Sequence, residues 1–175
     1  SILPLDGGEK REMSGRMVYC ELDTPVGRLL IAGDDAGLRV IRFPNRIRKG
    51  EPGIHWEENP EPLGEVISQL DAYFHGTRRS FDLHLAPKGT PFQLTVWKAL
   101  SQIPYGETLS YGQLARNMGR PKAARAVGGA VGRNPIPIVL PCHRVIGSDG
   151  SLTGFGGGLD RKRALLSLEK RFTAH

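Results

Sequence analysis

Over the first half of the chain, apolar residues alternate with polar ones in short stretches and then change period. Met17 to Leu22, Arg28 to Ala32 and Leu38 to Phe43 are β-prone, and turn signals at Thr24-Pro25-Val26-Gly27 and Asp34-Asp35-Ala36-Gly37 separate them. That pattern predicts an antiparallel meander. A polar, proline-rich loop is expected from Pro44 to about Pro60. Leu63, Val66, Ile67, Leu70, Tyr73 and Phe74 then recur at helical spacing, with Gly76 as a stop. Phe81, Leu83 and Leu85 alternate with polar residues, which predicts one more strand.

A boundary is expected at Ala86-Pro87-Lys88-Gly89. It divides the chain into an amino-terminal extension (1–16), an α/β domain (17–87) and a mostly helical domain (88–175). Thr90-Pro91-Phe92-Gln93 has the form of a capping box with proline at the first helical position, and Phe92, Val96, Leu100 and Ile103 make one apolar stripe. Ser110-Tyr111-Gly112-Gln113 is a second capping box, leading through Leu114, Ala115 and Met118 to Gly119. Pro121 opens a further segment, Lys122 to about Val131. Two short helices around a glycine-containing turn outline a helix-turn-helix.

Three local features resist a purely structural explanation. The second of these helices, with Ala123, Ala124, Ala126, Gly128, Gly129 and Ala130, has almost no side-chain bulk, although each glycine costs about 1 kcal/mol of helix propensity. Either it packs closely on another helix, or its surface must approach a ligand or groove, with Arg125 as the one large basic projection. In the last segment, Leu165, Leu168, Glu169 and Phe172 fall at i, i+3, i+4 and i+7. Glu169 thus lies on or beside an apolar stripe, where it needs a wet edge or a buried partner; His143 is the candidate. The third feature is Pro141-Cys142-His143-Arg144-Val145, which follows the apolar run Ile136-Pro137-Ile138-Val139-Leu140. A thiol with a reference pKa of about 8.5 needs help to act as a nucleophile at neutral pH. The pair alone also fits an ordinary buried thiol beside a satisfied histidine.

The net charge of +6 conceals an asymmetry. Residues 1–87 carry 11 basic and 14 acidic side chains, whereas residues 88–175 carry 13 and 4. A basic half beside an acidic one favours a polyanionic partner. Two cysteines far apart argue against a disulfide framework, and Cys20 with His55, His75 and His84 lacks compact ligand spacing. No apolar stretch approaches the roughly 20 residues that span a bilayer, and the polar start from Ser1 to Gly15 lacks a signal-peptide core. A soluble, intracellular protein without a membrane is expected.

Pro141 to Val145, the upstream Lys122-Ala123-Ala124-Arg125-Ala126-Val127-Gly128-Gly129-Ala130, the linking Asn134-Pro135 and the downstream Leu165-Leu166-Ser167-Leu168-Glu169 together resemble the O6-alkylguanine-DNA alkyltransferases. The resemblance covers residues 90–170 and is looser before them. It implies a ribonuclease H-like α/β domain with an antiparallel sheet, followed by a winged helix-turn-helix-like domain. The implied function is direct-reversal repair. A helix-turn-helix binds duplex DNA through the minor groove, flips out O6-alkylguanine (less well O4-alkylthymine), and passes the alkyl group irreversibly to a cysteine, one turnover per chain.

On that resemblance Cys142 is the acceptor, His143 a base acting through water, Glu169 the partner that orients and charges it, and Asn134 a further member of the catalytic set. Tyr111, Val145, Phe155, Gly156 and Gly157 bind the base; Tyr111 donates to it, and the Gly156 N–H reaches the departing oxygen. Arg125 fills the vacated stack, while Ala123, Ala124, Ala126, Gly128 and Tyr111 contact DNA. No cofactor or metal is implied, since Cys20 alone cannot reproduce the zinc set of some members. The chain is expected to be a monomer, with cooperativity on DNA open. Its expected location is cytoplasmic, with the nucleoid if prokaryotic or in the nucleus if eukaryotic. Many members have tyrosine at Phe155 and some have serine at Gly156, so a roomier pocket is expected. A regulatory or sensor-like DNA-binding module and a hydrolytic Cys-His enzyme are the competing classes.

Overall fold

The computed structural model of the chain describes residues 15–174, so most of the expected extension, 1–16, lies outside the described residues. Two compact units divide between Pro87 and Lys88.

In the first unit β1 (Val18–Thr24), β2 (Gly27–Asp34) and β3 (Gly37–Arg42) form the expected antiparallel meander. Leu29, Leu30, Ile31 and Ala32 of β2 are all buried, as an inner strand covered on both faces requires. The proline-rich loop contains a short strand that its composition conceals, β4 (Glu57–Glu58), which pairs in parallel with β1. An ion pair between Arg42 and Glu51 anchors this loop, and Glu51 also accepts from the Arg48 N–H. Helix α1 (Gly64–Phe74) buries Val66, Leu70 and Tyr73, and Gly76 follows in the left-handed region.

The strand expected over Phe81 to Leu85 does not form. Gln69 of α1 takes both backbone groups of Asp82, accepting from its N–H at 2.9 Å and donating to its carbonyl at 3.1 Å. Only Leu85 is left to bridge to Leu38. Gly37 permits that approach: its φ is 139°, and a Cβ there would lie 2.6 Å from the His84 carbonyl oxygen. Cys20 is buried in β1, and no group of His, Cys, Asp or Glu among the described residues could hold a metal.

The second unit opens with α2 (Pro91–Leu100), whose Thr90–Gln93 capping box is complete. It buries Val96, Trp97 and Leu100, with Ile103 just beyond. A two-residue strand, β5 (Leu109–Ser110), leads into α3 (Tyr111–Asn117), capped reciprocally by Ser110 and Gln113. Gly119, with φ 73°, ends the helix, and α4 (Ala124–Gly132) follows the turn. The Trp97 indole N–H donates to the Ala130 carbonyl at 2.8 Å, tying α2 to α4. β6 (Val145–Ile146) pairs in parallel with β5, and α5 (Leu159–Thr173) ends the unit. No described helix is long and apolar enough to cross a membrane.

Gly37→Ala combines left-handed strain with a backbone clash. Urea unfolding is expected to show a loss of about 1–3 kcal/mol; a loss below about 0.5 kcal/mol would show that the 84–86 segment moves away freely.

Candidate active site

The approach to Cys142 is held under tension. Ile136 to Leu140 are buried, and Ile138, a β-branched residue, has φ 75°, a conformation that costs on the order of 1–3 kcal/mol. Asn134 spans the bend that contains it. Its Oδ1 accepts from the Ile136 N–H at 3.0 Å, and its Nδ2 donates to the Leu140 carbonyl at 2.7 Å. The chain then enters one turn of 3-10 helix, Cys142–Arg144, all of it buried.

Adjacent side chains of that turn diverge from the thiol toward one carboxylate. His143 Nε2 lies 2.5 Å from Glu169 Oε2. Arg144 donates to both Glu169 oxygens, at 2.8 and 3.0 Å, and to the Ile103 carbonyl at 2.7 Å. The Gly106 N–H adds a bond at 3.1 Å. Burial alone would raise the Glu169 pKa, but the hydrogen bonds and charges of His143 and Arg144 outweigh it and hold the carboxyl well below the usual range.

Burial holds the His143 pKa down despite Glu169, and Arg144 adds to that effect. The resting imidazole is therefore neutral. With Nε2–H donated to the carboxylate, Nδ1 keeps its lone pair, and this buried nitrogen has no hydrogen-bond partner among the described residues. On the resemblance Glu169 was expected to charge the imidazole; at rest, burial is the larger influence. Burial also dominates at the thiol, pushing Cys142 up to about 11, opposed by a hydrogen bond from Asn134 and by the charge of Lys162.

The β5–β6 pairing sets Leu109 opposite Val145 and Ser110 opposite Ile146, which brings Tyr111 to the turn that holds Cys142. Its hydroxyl donates to the Thr153 carbonyl at 3.4 Å, and burial raises its pKa, so it remains a neutral donor. Phe155, Gly156 and Gly157 lie on the loop before α5, where the Gly157 carbonyl accepts from Arg161. Arg125 is exposed near the start of α4, on the face with Ala126 and Gly129, while Ala123, Ala124 and Gly128 are half-buried. A Cβ at Gly128 would make ordinary contact with Tyr111, 3.6 Å away, whereas at Gly129 or Gly132 it would meet nothing within 4 Å. Packing does not explain those last two glycines.

Arg144 and Lys162 are the buried charges that sequence reasoning missed. Lys162 could have been found: it precedes Leu165 by three positions and Glu169 by seven, on the same helical stripe. Arg144 carried no periodic signal, because its turn is too short to have one.

The family model described as the ribonuclease-like domain of 6-O-methylguanine DNA methyltransferase matches residues 17–87, and the model of its DNA-binding domain matches residues 91–171. Fold and site thus define a two-domain DNA alkyltransferase. A methylated-DNA–protein-cysteine methyltransferase of Methanosarcina acetivorans is 53% identical over 153 residues, which span 87% of this chain and 98% of the relative. The Mycobacterium tuberculosis protein of that name is 52% identical, over 87% of this chain and 92% of its own. The crystal structure of Mycobacterium tuberculosis OGT in complex with DNA superposes with a TM-score of 0.82 at 50% identity, covering 89% of this chain and 94% of that one. The chain belongs to the 6-O-methylguanine DNA methyltransferase family.

The resting protonation state has a measurable consequence. In the DNA-free protein, alkylation of Cys142 by iodoacetamide should accelerate steadily with pH toward about 11, because the folded thiol ionises only there. A plateau below pH 9, followed by mass spectrometry of the modified peptide, would show a thiol that is not governed by burial.

Proposed function

We propose that Cys142 is the alkyl acceptor, with His143, Glu169 and Asn134 serving its ionisation. The reaction class is direct-reversal DNA repair by alkyl transfer to a cysteine, the activity of a methylated-DNA–protein-cysteine methyltransferase. The observation that carries the assignment is the shared turn: Cys142 is buried beside a neutral His143 whose Nε2 is fixed on Glu169 and whose Nδ1 retains a lone pair.

In the proposed step the thiol proton passes through a water to His143 Nδ1, and Glu169 stabilises the imidazolium as it forms. Cys142 Sγ forms a bond to the alkyl carbon as the carbon–O6 bond breaks, and that electron pair stays on the guanine. Tyr111 donates to the base and the Gly156 N–H supports the departing oxygen, so charge is neutralised where it develops. Val145, Phe155 and Gly157 complete the base pocket, and Gly156, lacking a side chain, leaves it open to alkyl groups larger than methyl. The thioether has no hydrolytic exit, so each chain reacts once and needs no cofactor.

O6-alkylguanine in duplex DNA is the proposed substrate, with O4-alkylthymine a poorer one. The +9 balance of residues 88–175 suits a phosphate backbone. A minor groove about 6 Å wide excludes bulk, and the exposed Ala126 and Gly129 of α4, with Ala123, Ala124 and Gly128 beside them, suit close entry. Arg125, the large side chain on that face, would occupy the space of the extruded base. A monomer acting on DNA in the cytoplasm, at the nucleoid, fits bacterial and archaeal relatives of this kind.

Incubation with a duplex carrying labelled O6-methylguanine should move the label to protein, capped at one methyl per chain and abolished by Cys142→Ala. Continued turnover, or tight binding without transfer, overturns the assignment. Arg125→Ala should slow repair of the duplex by about tenfold or more, corresponding to roughly 1.4 kcal/mol, while sparing reaction with free O6-benzylguanine. Equal losses on both substrates would remove Arg125 from the flipping step.

A further inference from the structure

The loop before α5 is almost without side chains. Four of residues 154–158 are glycines, and Gly154 and Gly158 take φ of 46° and 95°, so little in the loop itself restricts its backbone. Gly156 and Gly157 are the central residues of a turn closed by the Gly158 N–H, which donates to the Phe155 carbonyl at 2.9 Å. The start of the loop is held at the Thr153 carbonyl, which accepts from Tyr111. Its end is held from the helix that follows, where Arg161 Nη1 donates to the Gly157 carbonyl at 3.0 Å. Gly157 is buried. A carbonyl there needs a donor, and a guanidinium is a strong one.

Helix stability gives no reason for this arginine. Arg161 lies in the first turn of α5, where the macrodipole disfavours a cation. Asp160, the acidic residue of that turn, accepts from Arg163. The half-buried Arg161 side chain reaches back out of the helix to the loop, and its bond lands on the residue after Gly156, whose N–H is proposed to support the departing oxygen.

We propose that Arg161 is a positioning residue that sets alkyl-group preference: its bond to the Gly157 carbonyl holds the glycine turn against the O6 side of the bound guanine, which favours transfer of small groups. The inference rests on the base-pocket reading of residues 155–157 and on Cys142 as acceptor. A backbone donor has no side chain with which to adjust, so its aim is that of the whole turn, and a loosened turn carries the Gly156 N–H away from the oxygen. A methyl group is too small to brace the loop, so for O6-methylguanine that aim depends on Arg161. A benzyl group brings an aromatic ring with contact area of its own against the loop. Loss of the arginine therefore costs methyl transfer more than benzyl transfer.

The test uses the full chain and two duplexes of one sequence, carrying O6-methylguanine or O6-benzylguanine at the same site and present at saturation. Single-turnover rates of transfer are followed by protein mass for wild type, Arg161→Ala, Arg161→Gln and Arg161→Lys, with folding checked by circular dichroism. DNA affinity, folding and ionisation of Cys142 are common to both rates and cancel in the methyl-to-benzyl ratio, so a merely structural arginine leaves the ratio where it is. Arg161→Ala should lower the ratio about fivefold or more. Arg161→Gln keeps most of the stem but ends short of the Nη1 position, and it should lower the ratio likewise; Arg161→Lys, a longer donor, should recover part of it. A ratio raised, or within about twofold of wild type, in the folded Ala and Gln variants overturns the proposal, however slow both reactions become.

Amide hydrogen exchange checks the hold itself without any reaction. Exchange over residues 154–158 should quicken in Arg161→Gln while that over residues 163–173 stays as in the wild type. Unchanged exchange over the loop overturns the proposal. Wild-type protein that transfers neither alkyl group would instead overturn the alkyl-transfer reading, and the Arg161 role with it, whereas normal wild-type transfer with an unmoved ratio in the variants defeats the Arg161 role alone.

Discussion

A single buried carboxylate organises the second unit. Glu169 lies on the core-facing stripe of α5 and accepts from the Gly106 N–H, from His143 and from both arms of Arg144. It joins the helix to the turn after α2 and to the turn Cys142–Arg144. An ionised carboxylate in such a place is several kcal/mol unfavourable unless its lone pairs are met, so this arrangement stands or falls as a whole. Burial is the largest influence on His143 and holds its pKa down against Glu169, and Arg144 adds to that effect. The imidazole is oriented by its Nε2 contact with Glu169, and its buried Nδ1 has no hydrogen-bond partner among the described residues.

The same burial governs Cys142. Desolvation pushes the thiol up to about 11, so the buried sulfur rests protonated near neutrality. A hydrogen bond from Asn134 and the charge of Lys162 act on the sulfur in the opposite direction to burial. Asn134 contributes twice, because it also bonds across the bend in which Ile138 is held at positive φ. The bend that leads to the turn is thereby held by two of the chain's own hydrogen bonds.

Legibility in the sequence followed the range of the interactions involved. Both capping boxes were readable because a cap is complete within four residues. The meander was readable from alternation and turn chemistry. Glu169 announced a buried partner because a charge on an apolar stripe conflicts with its surroundings, and His143 was found there. The strand expected at Phe81 to Leu85 failed because Gln69, more than ten positions away, satisfies the Asp82 backbone; no local pattern records that. β4 was hidden in a polar loop since a two-residue pairing needs no periodicity. The resting charges of the site were not legible for a related cause: local sequence shows which groups are present, whereas burial, the largest influence on both His143 and Cys142, depends on the whole fold.

The glycines of α4 mark the limit of a packing account. Two explanations were open, close contact with a neighbouring helix or close approach of something outside the protein. Gly128 has Tyr111 at contact distance, so the first explanation covers it. Gly129 and Gly132 face open space where a methyl group would meet no side chain, yet each costs about 1 kcal/mol of helix propensity relative to alanine. A bare helical surface with Arg125 rising from it, in a half that carries a net charge of +9 over residues 88–175, is in keeping with the DNA-binding domain whose family model matches residues 91–171.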